Sequence, residues 1–226
     1  FRFAPTISNR NFTNDIDTLS YNHFIPEIKL EYDSRDIYWN PKKGVRLINK
    51  FVPMIGENDF FVWDQSYSIY VPIFDSKHDI TLALNTTLKK KWGHRKDVWL
   101  SYFGNSFNIR GWDIPELNKN NLLSDSYRFG HEYIFSSVEI RKLIIPKHHS
   151  RFGLLNGLSV VGFFDGGFIF HTWSKIKDEK LMGGAGIGIR IPIPLLESLR
   201  VDLGWGLRER KFSRSPVMHL MIQQKF

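Results

Sequence analysis

The stretch FVWDQSYSIYVPI, residues 61–73, alternates between apolar and polar side chains. Phe61 and Trp63 stand at odd positions, whereas Asp64 and Ser66 stand at even positions. A period of two residues is that of a β-strand, because successive side chains point to opposite faces of a sheet. The stretch therefore predicts a strand that has one apolar face and one polar face.

The same period extends over most of the 226 residues, and helical spacing is not sustained over any useful length. The pattern predicts nine strands, and a tenth if the opening FRFAP is the end of another strand. The nine expected strands are residues 28–33, 45–55, 61–73, 80–92, 136–145, 157–170, 183–193, 199–208 and 217–226. Turn residues separate several of them, as in NPKKG at 40–44, GEND at 56–59 and DSKHD at 75–79. The expected fold class is all-β.

Two all-β classes share this alternation and differ in which face meets the core. A soluble sandwich buries its apolar face, whereas a membrane barrel turns apolar side chains toward lipid and polar ones toward the lumen. Aromatic residues lie near strand ends here (Trp63, Trp92 and Phe170), where a membrane interface favours them. We therefore expect a transmembrane antiparallel β-barrel, in which Asn49 and Lys142, which fall on the outward face, lie near an interface.

The composition argues against several other classes of protein. Cysteine is absent, which removes disulfides, thiolate metal sites and cysteine nucleophiles. The formal charge of +8 is spread along the chain, and LKKKWGHRK at 88–96 is interpreted as solvated loop, so we expect no nucleic-acid partner. The longest stretch without Asp, Glu, Lys or Arg is 152–164, whereas a spanning helix needs about 20 residues. The eight histidines form no HExxH motif and no nucleophile with a base is evident, so we expect no metal, no cofactor and no enzymatic activity.

A glycine-rich segment, MGGAGIGIRIPIP at 182–194, has the composition of a phosphate-binding loop. The spacing differs, because Gly184, Gly186 and Gly188 are two residues apart and do not match GxGxxG. Period two places these glycines and Arg190 on one face of a strand, with isoleucines on the other. The segment therefore predicts a strand whose inner face leaves room in the lumen for something bulky.

Four motifs follow one another along the chain. LEYDSRDIYWNPKKGVRL at 30–47 has the order strand, Asp-x-Arg, Pro-x-x-Gly, strand. IRGW at 109–112 and FFDGG at 163–167 come next, and the last strand ends on Phe226. In this order they resemble the C-terminal barrel of the BamA/TamA-type outer-membrane assembly and translocation family, the bacterial surface antigen family. IRGW is similar to its Val-Arg-Gly-Phe/Tyr motif on a loop folded into the lumen, and FFDGG to its Phe-x-Asp-x-Gly motif.

The resemblance covers nearly the whole chain, with some departures. Ile109 and Trp112 replace the family's Val and Phe or Tyr, and the Gly-Gly that often precedes the motif is reduced to Gly104-Asn105. Family barrels have sixteen strands and carry N-terminal periplasmic POTRA domains. We therefore expect residues 1–226 to be one barrel domain, the C-terminal part of a larger protein, with a small ten-stranded barrel as the alternative.

The family implies a function at the bacterial outer membrane, namely the insertion or translocation of other proteins. The implied partners are outer-membrane lipids, unfolded outer-membrane protein clients and accessory assembly subunits. The last strand, with Leu220, Ile222 and the terminal Phe226, is expected to be the C-terminal insertion signal and one side of the barrel seam. Three alternatives stay open: a transporter or anchor for one dedicated client, an anchor for an N-terminal hydrolase domain, and a passive pore.

The polar loop FNIRGWDIPE, at 107–116, contains the candidate site. Period two places Glu139 and Asp165 on the inward faces of two later strands, and the fork of an arginine suits carboxylates. We expect Arg110 to lie between them and hold the loop in the lumen, with Gly111 permitting a close turn and Trp112 against the wall. The alternative is a surface turn, with carboxylates that only solvate the lumen. The candidate residues are Ile109, Arg110, Gly111 and Trp112 on the loop and Glu139, Phe163, Asp165 and Gly167 on the wall.

Overall fold

The computed structural model describes residues 2–13, 18–37, 40–56, 59–73, 79–94, 99–115, 125–145, 157–193 and 198–222, with side chains described from residue 24 onward. These residues form thirteen β-strands and two short 3-10 helices. The strands are β1 Arg2–Thr13, β2 Thr18–Asp33, β3 Gly44–Gly56, β4 Phe60–Pro72, β5 Ile80–Gly93, β6 Ser101–Tyr102, β7 Phe129–Gly130, β8 Glu132–Leu143, β9 Ser159–Phe170, β10 Met182–Ile191, β11 Leu199–Arg208, β12 Lys211–Phe212 and β13 Val217–Ile222. The helices are Ser126–Arg128 and Trp173–Lys175, and no helix in the described part is long and apolar enough to cross a membrane.

Eleven strands form one antiparallel sheet in the order β1-β2-β3-β4-β5-β8-β9-β10-β11, with β12 and β13 both pairing with β11. Every neighbour in the long run is also the next long strand along the chain, which is the up-and-down order of a barrel wall. In the described residues the sheet is not closed, because β1 and β13 each pair with one strand only. The remaining strands, β6 and β7, form a small ribbon within the connection between β5 and β8.

The two faces of the sheet have opposite character. On β8 the outward Ile140 is 52% exposed, whereas its inward neighbours Glu139 and Arg141 are buried. On β10 the outward Ile187 is 59% exposed and the inward Arg190 is buried. Apolar side chains thus lie outside and charged ones inside, as in a membrane barrel and opposite to a soluble sandwich. The facing expected from the period-two pattern is confirmed for these strands.

The expected strands are present, and several are longer than the pattern indicated. The opening segment supplies the tenth long strand, but it is the start of a twelve-residue strand from Arg2 to Thr13 and not the end of one. The strand expected at 28–33 begins at Thr18. Residues 18–27 of β2 pair with β1 along their whole length and with β3 at His23 and Phe24, so main-chain hydrogen bonds extend this strand beyond its apolar face. The last strand is described only to Ile222, so Phe226 lies outside the described residues. The turns at 56–59 and 75–79 lie partly outside them too.

Three positions test the expected membrane interface. Lys142 is the last residue but one of β8 and is exposed, as expected for a cation near an interface. Asn49 lies in the middle of β3 instead, where its Oδ1 accepts a hydrogen bond from Trp63 Nε1 at 3.2 Å. Phe170 ends β9 but is fully buried, with its ring 5.1 Å from that of Trp173. The interpretation of Phe170 as an interfacial aromatic is therefore wrong.

Candidate functional site

We call the connection between β5 and β8, residues 94–131, the inner loop. Its described residues, 94, 99–115 and 125–131, include a part that packs on the inner face of the sheet. The ribbon of β6 and β7 closes its base, and the Phe103 amide donates to the Arg128 carbonyl at 2.9 Å. Phe103 and Ile109 are completely buried and pack in one apolar cluster that includes Phe135 of β8. Apolar packing at its base thus fixes the inner loop against the wall.

Arg110 is completely buried, and its donors reach three strands of the wall. Its Nε and Nη2 donate to the two carboxylate oxygens of Asp165 at 2.8 and 2.9 Å, which is the bidentate arrangement that an arginine fork favours. Its Nη1 donates to Glu139 Oε1 at 2.6 Å and to Asp202 Oδ2 at 3.0 Å. The Arg110 amide also donates to Asp165 at 3.0 Å, so the backbone and the side chain are held by the same carboxylate.

Further charges surround this arginine on the inner face, and we call the set the Arg110 cluster. It comprises Arg110, Glu139, Arg141, Asp165, Arg190, Arg200 and Asp202. Arg190 bridges Glu139 and Asp202, at 3.2 and 2.5 Å, and Arg141 pairs with Glu139 at 2.8 Å. Four arginines face three carboxylates, all nearly or fully buried, so the cluster carries one net positive charge when every group is ionised. Such a network is stable only while each buried charge keeps its partners.

The surroundings of Arg110 keep its guanidinium charged. Burial by itself would lower the pKa of Arg110, but the carboxylates of Asp165 and Glu139 outweigh that effect and raise it. The ring of Phe163 lies 3.5 Å from the guanidinium carbon, close enough for a cation–π contact. The guanidinium of Arg110 therefore stays charged at every physiological pH.

Glycines let the loop backbone approach β10 and β11 closely. Gly111 has a φ of +90°, and a Cβ built on it would lie 2.5 Å from the carbonyl carbon of Trp205. Across the contact, a Cβ on Gly184 would overlap the Arg110 carbonyl oxygen, and one on Gly204 would lie 2.8 Å from the Gly111 amide nitrogen. The space expected at the glycine face is thus filled by the loop at Gly184, whereas at Gly186 and Gly188 it is filled by residues of the wall.

Trp112 closes the motif on the other side of Gly111. Its Nε1 donates to the Gly183 carbonyl at 2.7 Å, and its ring lies against Gly206, where a Cβ would be 2.7 Å from the indole. The guanidinium of Arg128, 5.5 Å from the ring centroid, packs on the same indole. Trp112 therefore contacts the wall at β10 and β11.

Of the expected wall residues, Glu139, Phe163 and Asp165 lie at the arginine, and Gly167 has a different place. A Cβ on Gly167 would lie 2.4 Å from Phe135 Cβ, so this glycine lets β8 and β9 pack closely next to the cluster. Leu220 and Ile222 of β13 are both more than half exposed on the outward face. They are not brought to the cluster.

Several residues of the site were not singled out from the sequence. The period of two puts Arg190, Arg200 and Asp202 on inward faces, but it does not tell which inward residues of distant strands meet. His219 accepts a hydrogen bond at Nε2 from the Gly111 amide at 2.9 Å. Its signal in the sequence is its position between the outward Met218 and Leu220, which predicts an inward side chain.

The described residues of the motif at 30–47, which are 30–37 and 40–47, lie at the end of β2 and the start of β3 and contact each other closely. Arg35 donates from Nε and Nη2 to Asp33 at 2.9 and 2.7 Å, and the Ser34 amide donates to the Val45 carbonyl at 2.9 Å. Gly44 has a φ of +117°, and a Cβ there would lie 2.5 Å from the Ser34 carbonyl oxygen. Asp33, Arg35 and Gly44 of these motifs thus help to hold the end of β2 against the start of β3.

Within the described residues, no group of three or more His, Asp or Glu is placed to hold a metal ion.

Comparisons with known proteins agree with this architecture. A family profile described as the Omp85 superfamily domain matches residues 2–226. The crystal structure of BamA from Haemophilus ducreyi lacking POTRA domains 1-3 matches with a TM-score of 0.67 at 14% sequence identity, over 91% of this chain and 44% of that one. At this identity the likeness concerns the fold alone, and the chain spans less than half of the BamA chain. No curated protein matches in sequence.

Proposed function

Because the chain belongs to the Omp85 superfamily, we propose that it forms the C-terminal part of an outer-membrane barrel that inserts other proteins into the bacterial outer membrane or translocates them across it. The family and the fold class are those that the motifs predict. The partners in this proposal are outer-membrane lipids, unfolded outer-membrane protein clients and accessory assembly subunits. The proposal requires no cofactor and no catalytic reaction.

The observation that supports it most directly is the Arg110 cluster. A barrel that admits client strands at its wall must keep the neighbouring wall in one arrangement while its seam opens. Arg110 connects β8, β9 and β11 through Glu139, Asp165 and Asp202. We propose that the arginine holds the inner loop and these strands together as one unit beside the seam.

The edge of the sheet supplies the second part of the proposal. Among the described strands, β13 pairs only with β11, so its other edge presents backbone donors and acceptors. An exposed edge of this kind can accept an incoming strand by β-augmentation, in which main-chain hydrogen bonds provide the affinity and little sequence is read. A client with many possible sequences fits that mode of binding.

The test is depletion of the intact protein from the organism that makes it, followed by quantification of outer-membrane proteins. We expect the amounts of many unrelated β-barrel proteins to decline together. The reason is that a strand edge that binds through main-chain hydrogen bonds can accept clients of many sequences. Loss of one protein only would point to a dedicated transporter or anchor. An unchanged outer-membrane profile would contradict the proposal and leave the passive pore or the anchor for a hydrolase.

A further inference from the structure

His219 connects β13 to the inner loop, a contact to which the proposed function assigns no role. It lies on the inner face of β13, is 6% exposed, and is the register partner of Asp202 on β11. Both of its ring nitrogens face the inner loop, with Nε2 2.9 Å from the Gly111 amide nitrogen and Nδ1 3.3 Å from Ser106 Oγ. Among the described residues, both hydrogen bonds between the inner loop and β13 involve this imidazole.

The chemistry of the two bonds fixes the state of the ring. An amide N–H can only donate, so Nε2 must accept and must carry no proton. In the neutral imidazole the proton is then on Nδ1, which donates to Ser106 Oγ. The Ser106 carbonyl in turn accepts from Arg200 Nη2, so Ser106 is tied to β11 as well as to β13. His219 is therefore oriented by the loop at both nitrogens.

The rest of the contact between the loop and β13 is open. A cavity of about 390 Å³ lies between them, lined on the loop side by residues that include Asn105 and Asp113 and on the strand side by Val217 and His219. In the described residues β13 pairs with β11 over Leu199–Gly204. The bonds of His219 add to this ladder a direct connection between β13 and the inner loop.

Gly111 of the IRGW motif links Arg110 to His219. Gly111 directly follows Arg110, whose amide and side chain are fixed on Asp165. The Gly111 amide therefore has a position set by the Arg110 cluster, and it is this amide that holds His219. A displacement of the arginine would move the donor of the His219 bond.

We propose that His219 is the positioning residue that couples the inner loop to the last strand, so that β13 keeps its place at the seam only while the Arg110 cluster holds the loop. The biological role of this coupling rests on the proposed function. If clients bind at the free edge of β13, the inner loop controls the position of that edge through His219. It needs no covalent step and no ligand.

Hydrogen exchange of the full-length protein in lipid nanodiscs tests the coupling. His219→Leu removes the acceptor and should speed exchange roughly tenfold at Gly111 and along 217–222, because a buried amide loses its partner. His219→Gln can place an amide oxygen near the position of Nε2 and should stay within about twofold of the parent. Met221→Leu, in the same strand and of similar volume, is the matched control and should exchange as the parent does.

Two results would overturn the proposal. One is exchange in His219→Leu equal to that of the parent, and the other is equal acceleration in the Leu and Gln variants, which would make His219 a space-filling residue. The parent alone gives a second test that does not depend on a variant folding. Nitrogen NMR of labelled histidine should find the proton of His219 on Nδ1, and a proton on Nε2 would contradict the proposal.

A client-insertion assay on the same preparations separates this inference from the proposed function. If the parent inserts no client, the proposed function fails, and the exchange result still decides the coupling. If the parent inserts clients, His219→Leu should insert them more slowly than His219→Gln and Met221→Leu. Equal insertion rates in all three variants would contradict a role of this coupling in client insertion.

Discussion

At the scale of single residues, Arg110 is distinguished by the number and direction of its bonds. Its amide and guanidinium make hydrogen bonds to Asp165, Glu139 and Asp202, with a further, longer contact from Nη2 to Ser137 Oγ at 3.3 Å. A lysine offers one compact charge and could not reproduce two parallel bonds to Asp165. The residue type is thus dictated by the wall that surrounds it.

Removing one carboxylate should destabilise the folded protein strongly. Asp165→Asn keeps the shape of the side chain but leaves four buried arginines facing two carboxylates, and breaking a buried pair costs about 3–5 kcal/mol. We expect a clear decrease in the urea midpoint of the barrel in lipid. Glu209→Gln, in the exposed pair with Lys180, is the control and should leave the midpoint unchanged. A midpoint for Asp165→Asn equal to that of the control would contradict a structural role of the cluster.

The sequence predicts part of this site for a clear physical reason. Glu139 and Asp165 follow from the period of two and from a short motif, because both lie on well-patterned strands that follow the loop directly. Asp202 has the same inward facing, but its approach to Arg110 depends on how four strands twist and shear against one another. Alternation along one strand contains no information on that geometry, so Asp202 and His219 were found only in the structure.

At the scale of elements, the glycines of β10 and β11 determine where the inner loop lies. Gly184, Gly204 and Gly206 face inward, and each would place a Cβ within 2.9 Å of the loop. The sequence predicts the empty face but not its occupant, since a missing side chain does not identify what fills the space. The loop and these two strands are complementary along their backbones.

A methyl group added to this face should therefore displace the loop. Gly184→Ala would put its Cβ onto the Arg110 carbonyl oxygen, and backbone on both sides prevents an easy shift. We expect the inner loop of this variant to be cut by protease in the folded barrel. Gly162→Ala on β9, where no atom lies within 4 Å, is the matched control and should resist as the parent does. Equal resistance in both variants would show that the loop does not need the glycine face.

The alternation of the sequence predicts which way the side chains of a strand point better than it predicts where the strand begins and ends. Strands with a marked apolar face, such as β5 and β11, were expected within a residue of their bounds. β1 and β2 extend well beyond the patterned residues, because neighbouring backbones continue to pair where side chains no longer alternate. The two-residue strands β6, β7 and β12 are too short to produce a pattern at all.

At the scale of the whole molecule, the polarity of the sheet is that of a wall between lipid and a wet interior. Large apolar side chains such as Val160, Phe164 and Leu203 are exposed on the outer face, whereas the inner face buries charges. Exposure of so many apolar side chains is unfavourable in water and favourable in contact with lipid acyl chains. Trp92, 41% exposed, stands on the same outer face near the end of β5.

Brominated lipids provide a check on this orientation, because bromine quenches a nearby indole. Trp92 faces outward, and Trp112 lies inside on the carbonyl of Gly183. We expect Trp92→Phe to reduce the quenched share of the fluorescence of the reconstituted barrel. Trp112→Phe should not reduce that share, since the removed indole contacts the wall from the inside. A decrease of the same size in both variants would contradict the assignment of the two faces.

Limited proteolysis of the reconstituted protein shows whether Arg110 holds the inner loop inside the barrel. Arg110→Ala should remain inserted, as shown by its mobility on gels with and without heating, and should be cut within residues 94–131 at protease levels that leave the parent intact. Arg110→Lys, which keeps the charge without the fork, should be cut at an intermediate rate. Resistance of Arg110→Ala equal to that of the parent, in a barrel that is still inserted, would show that Arg110 does not hold the loop.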